Sequence, residues 1–269
     1  MPHVGAGGLN VYYEVAGTGP PLLFISGTGG DLRARPNIFD GPLLRSFTVL
    51  AYDQRGLGRT SVPAGPYSMR DYAEDADALL EALGWEQGLV MGASFGGMVA
   101  QEFALRYPHR VQKLVLCCTS SGGEGGASYP LHELANLPPG ERARAGILVA
   151  DTRRDAAWEA QHPEEMQRMI QFVLASRSVG EGEPGRDAGA RLQLEARRGH
   201  DTYDRLPALR MPIYVCGGEY DGIAPVENAE ALARQIPAAR LELFEGGHLF
   251  LIEDRRAFPA IVEFLSATR

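Results

Sequence analysis

Glycine crowds three side chains that could act together: Ser94 in Gly92-Ala93-Ser94-Phe95-Gly96-Gly97, Asp221 in Gly218-Glu219-Tyr220-Asp221, and His248 in Glu245-Gly246-Gly247-His248. A free serine hydroxyl is a poor nucleophile. It needs a base within hydrogen-bond reach, and a carboxylate that holds that base in the right tautomer. The pattern predicts acyl transfer, with Ser94 as nucleophile, His248 as general base and Asp221 as the residue orienting it. Glu219 is the rival acid; Asp221 is preferred because two further residues carry it past the preceding strand. Of six histidines, His3 is terminal, His109 follows a helix-ending proline, and His132, His162 and His200 fall in a helical block. Only His248 follows a late strand pattern.

Attack on a carbonyl also needs two preorganised N–H donors for the developing oxyanion. One is the backbone of Phe95. The other is expected from Ser26-Gly27-Thr28-Gly29-Gly30, with Thr28 the choice and Gly29 the fallback. A phosphate-cradling loop does not fit there, since the spacing is not G-x-G-x-x-G and no acidic ribose partner is placed to support it. Arg33 and Arg35, just beyond, could meet a substrate carboxylate, but a surface role is the expected one.

These residues need a scaffold that gathers loops at one edge. Short apolar runs at Leu22 to Ser26, Phe47 to Asp53, Gly88 to Met91 and Lys113 to Cys118 read as strands, separated by helical patterns at Met69 to Leu83 and Gly97 to Tyr107. Such alternation predicts a mostly parallel sheet with helices on its faces. A glycine hinge at Gly122 to Gly126 then opens a block with only helix-like patterns, including Pro163 to Ser178 and Arg186 to Arg198. Strand rhythm resumes at Ile213 to Gly217 and Leu241 to Phe244, around a helix from Pro225 to Gln235, and a last helix spans Ala257 to Ala267. The expected organisation is a core of residues 1–124 and 207–269 with a helical cap, 125–206, inserted.

Composition narrows the chemistry further. The chain has 269 residues and a formal net charge of −8, which argues against nucleic-acid or anionic-membrane partners. Lys113 is the single lysine, so P-loop and Ser-x-x-Lys chemistry are excluded. Cys117, Cys118 and Cys216 lie in apolar runs without zinc-ligand spacing and read as buried thiols. No secretory pattern or membrane-length apolar run is seen, and a cytoplasmic monomer or homodimer is expected.

With its triad order of Ser, Asp, His, the chain resembles the α/β-hydrolase superfamily, which implies a mostly parallel eight-stranded sheet flanked by helices. The glycine-rich turn around Ser94 resembles that superfamily's nucleophile elbow. The run Tyr52-Asp53-Gln54-Arg55-Gly56-Leu57-Gly58-Arg59-Thr60-Ser61 resembles its loop after the strand preceding the nucleophile strand, where the role is mostly structural. Phe39 to Ser61 and Gly65-Pro66-Tyr67-Ser68 look closest to the β-ketoadipate enol-lactonases and their esterase relatives. The resemblance implies cleavage of a small ester or lactone, with no metal or organic cofactor. Two departures are visible. Ser26 stands where many relatives have the histidine of a His-Gly pair, which leaves the bracing of the oxyanion loop open. Leu249-Phe250-Leu251 lacks the tryptophan common in carbon–carbon bond hydrolases, which ranks that activity second. A cofactor-free perhydrolase and a small-molecule receptor with a retained triad are the other readings. Substrate contacts are sought in Gly29, Leu249 and the cap residues Trp158, Met169 and Phe172, although an apolar stripe such as Met166, Met169 and Phe172 is more often packing than pocket.

Overall fold

Neighbouring residues along the central strands are both apolar and both buried, which requires a sheet covered on two faces. Leu23, Leu50, Val90, Leu114 and Val215 face one core cluster, and their neighbours Leu22, Val49, Leu89, Val115 and Tyr214 face the other. The computed structural model describes residues 2–267. Its strands are β1 (His3–Ala6), β2 (Leu9–Gly17), β3 (Pro21–Ile25), β4 (Thr48–Tyr52), β5 (Gly88–Ala93), β6 (Val111–Cys117), β7 (Ile213–Gly218) and β8 (Arg240–Phe244). They form one eight-stranded sheet in the order β1-β2-β4-β3-β5-β6-β7-β8. Only β1 with β2 and β2 with β4 pair antiparallel; from β4 to β8 every pairing is parallel.

Helices α1 (Met69–Ala82), α2 (Phe95–Arg106) and α7 (Val226–Gln235) supply apolar residues to the first cluster, while α8 (Phe250–Glu253) and α9 (Ala257–Ser266) supply the second. Ser68 and Asp71 start α1 with a capping box, and Tyr72, Ala76, Leu79 and Leu80 then recur on its buried face. Lys113 anchors the end of α9: its Nζ donates to the carbonyls of Phe264, Leu265 and Ala267, the acceptors a helix C-terminus leaves unspent. Between β6 and β7 the described residues form only helical segments: α3 (Pro139–Ala150), α4 (Ala156–Gln161), α5 (Pro163–Ser178), α6 (Arg186–Arg198) and short 3-10 turns. No described helix is long and apolar enough to cross a membrane.

The six strand patterns seen in the sequence all occur, with ends displaced by one or two residues. The antiparallel pair β1 and β2 carried no recognised pattern, because β2 mixes buried and exposed residues without clean alternation. Helix α2 begins at Phe95, two residues earlier than its periodicity suggests, so the helix starts directly after Ser94. The loops after β3, β5, β7 and β8 emerge at the same carboxyl edge of the parallel sheet, where open α/β sheets place their ligand crevices.

Candidate active site

Ser94 sits between the end of β5 and the first turn of α2 with φ 54° and ψ −119°. A non-glycine residue held there costs on the order of 1–3 kcal/mol and persists only where its surroundings over-determine it. Those surroundings are close backbone contacts that only glycine permits. A Cβ on Gly92 would fall 2.3 Å from the Gly96 carbonyl oxygen, and one on Gly96 would fall 2.0 Å from that of Ile25. At Gly97 it would lie 2.6 Å from Thr119 Cβ. The three glycines let strand, turn and helix collapse onto one another and leave the Ser94 side chain at the sheet edge.

The structure brings the three predicted side chains together. His248 Nε2 is 2.9 Å from Ser94 Oγ, and His248 Nδ1 is 2.8 Å from Asp221 Oδ2. A carboxylate only accepts, so Nδ1 carries the proton and Nε2 turns its lone pair to the serine hydroxyl. Asp221 Oδ1 accepts from the N–H groups of Ile223 and Ala224 at 2.8 and 2.9 Å, which fixes the carboxylate in its fully buried position. Glu219, the rival acid, is exposed. Below His248, Glu253 Oε2 accepts from the Gly247 N–H and Asp254 Oδ2 from the Glu245 N–H, tying the loop to α8 and the residue after it. On its other side the His248 N–H donates to the Ala150 carbonyl at the end of α3, at 2.6 Å.

Among the described residues, neither the Thr28 nor the Phe95 N–H donates to a protein acceptor. Phe95 is the first residue of α2, whose N–H has no intrahelical partner. Gly29, the fallback donor, is corrected here: its N–H is already spent on Gln193 Oε1 at 2.8 Å. The bracing that Ser26 left open comes from glutamines. Gln54, fully buried, donates from Nε2 to the Ser26 carbonyl at 2.8 Å and to Ser26 Oγ at 3.2 Å. No local pattern marks Gln193, which reaches the loop across 164 positions. Gln54 lay inside a recognised run, but nothing local marked its contact.

The remaining candidates are scattered. Leu249, next to His248, is 51% exposed and Phe172 57% exposed. Trp158 stacks on His162, and Met169 is half-buried on α5, which packs against α3. No hydrogen bond or ring contact links Trp158, Met169 or Phe172 to the triad among the described residues. Arg33 is bound to Asp31 and Glu183, and Arg35 to Asn37 and Asp40, so both are engaged in surface pairs. Cys117, Cys118 and Cys216 are free and buried. Burial pushes the Cys118 thiol well above its ordinary range, and contact with Cys216 and burial do the same for Cys117, so neither is a rival nucleophile. A hollow of about 280 Å³ lined by Tyr67, Met69, Arg70, His200 and Arg205 includes no triad residue.

Parallel sheet, strained serine turn and late histidine loop together define a fold class. Residues 20–255 match the family model described as the alpha/beta hydrolase fold, and the chain belongs to that family. It is 31% identical over 260 residues to a poly(3-hydroxyalkanoate) depolymerase of Ectopseudomonas oleovorans, covering 93% of this chain and 85% of the relative. It is 29% identical to a 2-hydroxymuconate semialdehyde hydrolase of Pseudomonas sp. (strain CF600), over 98% of this chain and 95% of that one. In three dimensions it superposes on the enol-lactonase from Burkholderia xenovorans LB400 with a TM-score of 0.79 at 23% identity, covering 99% and 100% of the two chains.

Proposed function

We propose that this hydrolase-family chain cleaves small carboxylic esters or lactones through an acyl-enzyme on Ser94. The observation that carries the reading is the continuous hydrogen-bonded path from Asp221 through His248 to a serine held in a strained turn. In the first step Ser94 Oγ attacks the carbonyl carbon while His248 Nε2 takes its proton, and the Asp221 carboxylate supports the imidazolium. The carbonyl oxygen gains the negative charge and is met by the Thr28 and Phe95 N–H groups. As the tetrahedral species collapses, His248 returns the proton to the leaving oxygen. Water then repeats the attack on the acyl-enzyme, giving its proton to His248, and the carboxylic acid leaves as Ser94 is restored. No step needs a metal or an organic cofactor.

Residues 125–206 act in this reading as a cap over the sheet edge. The ester assignment is supported by likeness to a depolymerase. Likeness to a 2-hydroxymuconate semialdehyde hydrolase supports a second reading, carbon–carbon bond cleavage on the same triad. The exposed Leu249, rather than a tryptophan, favours the ester reading, with Leu249 and Gly29 at the mouth of the site. A hydrolysis screen of short aryl esters, lactones and a vinylogous diketone on wild type and Ser94→Ala tests it. Turnover of esters or lactones that vanishes in Ser94→Ala is expected. Turnover of the diketone alone would favour the second reading. No turnover, with a ligand-dependent rise in melting temperature, would favour a receptor.

A further inference from the structure

The loop that offers the Thr28 N–H is held through the peptide units on either side of it. Gln54 holds the Ser26–Gly27 peptide through the Ser26 carbonyl, and the Gly30 N–H holds the Gly27 carbonyl at 3.2 Å. Gln193 holds the Thr28–Gly29 peptide through the Gly29 N–H at 2.8 Å. The peptide between the two braces carries the Thr28 N–H, so its direction is set from both sides. The loop cannot hold itself: residues 27, 29 and 30 are glycines, Gly29 has φ +73°, and glycine gives up more conformational freedom on ordering than any other residue.

Gln193 comes from α6, in the helical segment between β6 and β7, and not from the sheet. Its route to the loop is prepared one turn earlier on the same helix face by Gly189. A Cβ on Gly189 would fall 1.9 Å from the Gly56 carbonyl oxygen, and one on Gly56 would fall 2.9 Å from Gly189 Cα. Two glycines thus let α6 sit directly on the backbone of the loop after β4. The fully buried Gln193 leaves its Nε2 without a partner, as Gln54 Oε1 and Thr28 Oγ1 also are. Burying an unsatisfied amide is destabilising, a cost that packing alone would avoid with an apolar side chain.

We propose that Gln193 is a positioning residue that makes the oxyanion hole depend on the seating of α6. With α6 in place the Thr28 N–H is aimed and the site is competent; with α6 displaced the glycine loop relaxes and loses one of its two donors. The inference rests on the serine-hydrolase reading and deepens it, because it assigns control of that site to the helical segment.

The test compares wild type, Gln193→Met and Gln193→Glu on a short aryl ester, with phenylboronic acid as a probe that forms a tetrahedral adduct on serine. Methionine fills the space without an acceptor for the Gly29 N–H; glutamate keeps an oxygen there. Gln193→Met should lose about ten- to hundredfold in kcat with KM changed by less than about threefold, and boronate affinity should fall by a similar factor. Gln193→Glu should recover most of both. A Gln193→Met enzyme with wild-type kcat and boronate affinity overturns the proposal, even if its melting temperature falls. So does a rise in KM at unchanged kcat, which would make Gln193 a substrate contact. Should the methionine variant not accumulate as folded protein, Gln193→Asn, too short to reach Gly29, replaces it with the same expectations. Ser94→Ala is run in parallel: hydrolysis that survives in it defeats the serine reading, whereas its loss beside an unaffected Gln193→Met defeats only the present inference.

Discussion

Single side chains divide here into those that local sequence can reveal and those that it cannot. Ser94, Asp221 and His248 were legible because each needs a sharp turn after a strand, and sharp turns leave glycines beside them. Gln193 was not, because one hydrogen bond to Gly29, 164 positions away, leaves no local pattern. The role proposed for Asp221 makes a direct prediction. In Asp221→Asn, Oδ1 still accepts from Ile223 and Ala224, but an NH2 then faces His248 Nδ1 and favours the tautomer with its proton on Nε2. That tautomer cannot take the proton from Ser94. The rate of ester hydrolysis should fall on the order of a hundredfold or more with melting temperature little changed, as kcat measurement and thermal melts will show. An undiminished kcat would remove Asp221 from the mechanism.

Among the secondary-structure elements, the parallel strands were readable because burial on both faces makes them continuous apolar runs, and β1 and β2 were not because burial along β2 follows no clean alternation. The start of α2 was missed for a related reason: Phe95 and Gly96 serve the turn rather than the helix periodicity. The contact between α2 and the end of β3 is where elements and chemistry meet. In Gly96→Ala the new methyl would fall 2.0 Å from the Ile25 carbonyl oxygen and 2.6 Å from that of Ser26, neither of which can swing aside. We expect a loss of about 2–4 kcal/mol in urea unfolding, together with reduced activity, since the loop proposed to hold the oxyanion moves with Ser26. Gly140→Ala, with nothing near its added methyl, is the matched control and should unfold at or above the wild-type urea concentration. Equal midpoints for the two variants would show that the packing at the serine turn is looser than described.

For the molecule as a whole, the helical segment touches both halves of the candidate site: the end of α3 binds the His248 loop, and α6 binds the loop after β3. Its return to the sheet is stitched at a neck, where His200 Nε2 donates to the Ser120 carbonyl and the Thr202 N–H to that of Ser121. Burial lowers the His200 pKa from 6.5 to about 4, so the folded chain keeps this imidazole neutral while the unfolded chain protonates it. Stability from this group is therefore complete above about pH 6.5 and declines as the pH falls toward 4. The loss should reach about 2 kcal/mol near pH 5. Urea unfolding at about pH 7.5 and about pH 5 should show that component in wild type and not in His200→Gln; identical pH slopes would contradict it. The central claim, that Ser94 becomes acylated under the control of His248, is tested most directly by intact-protein and peptide mass spectrometry after reaction with a fluorophosphonate. The account predicts one adduct, on Ser94, absent in Ser94→Ala and formed far more slowly in His248→Ala. An adduct at another residue, or none in an enzyme that still hydrolyses esters, would contradict it.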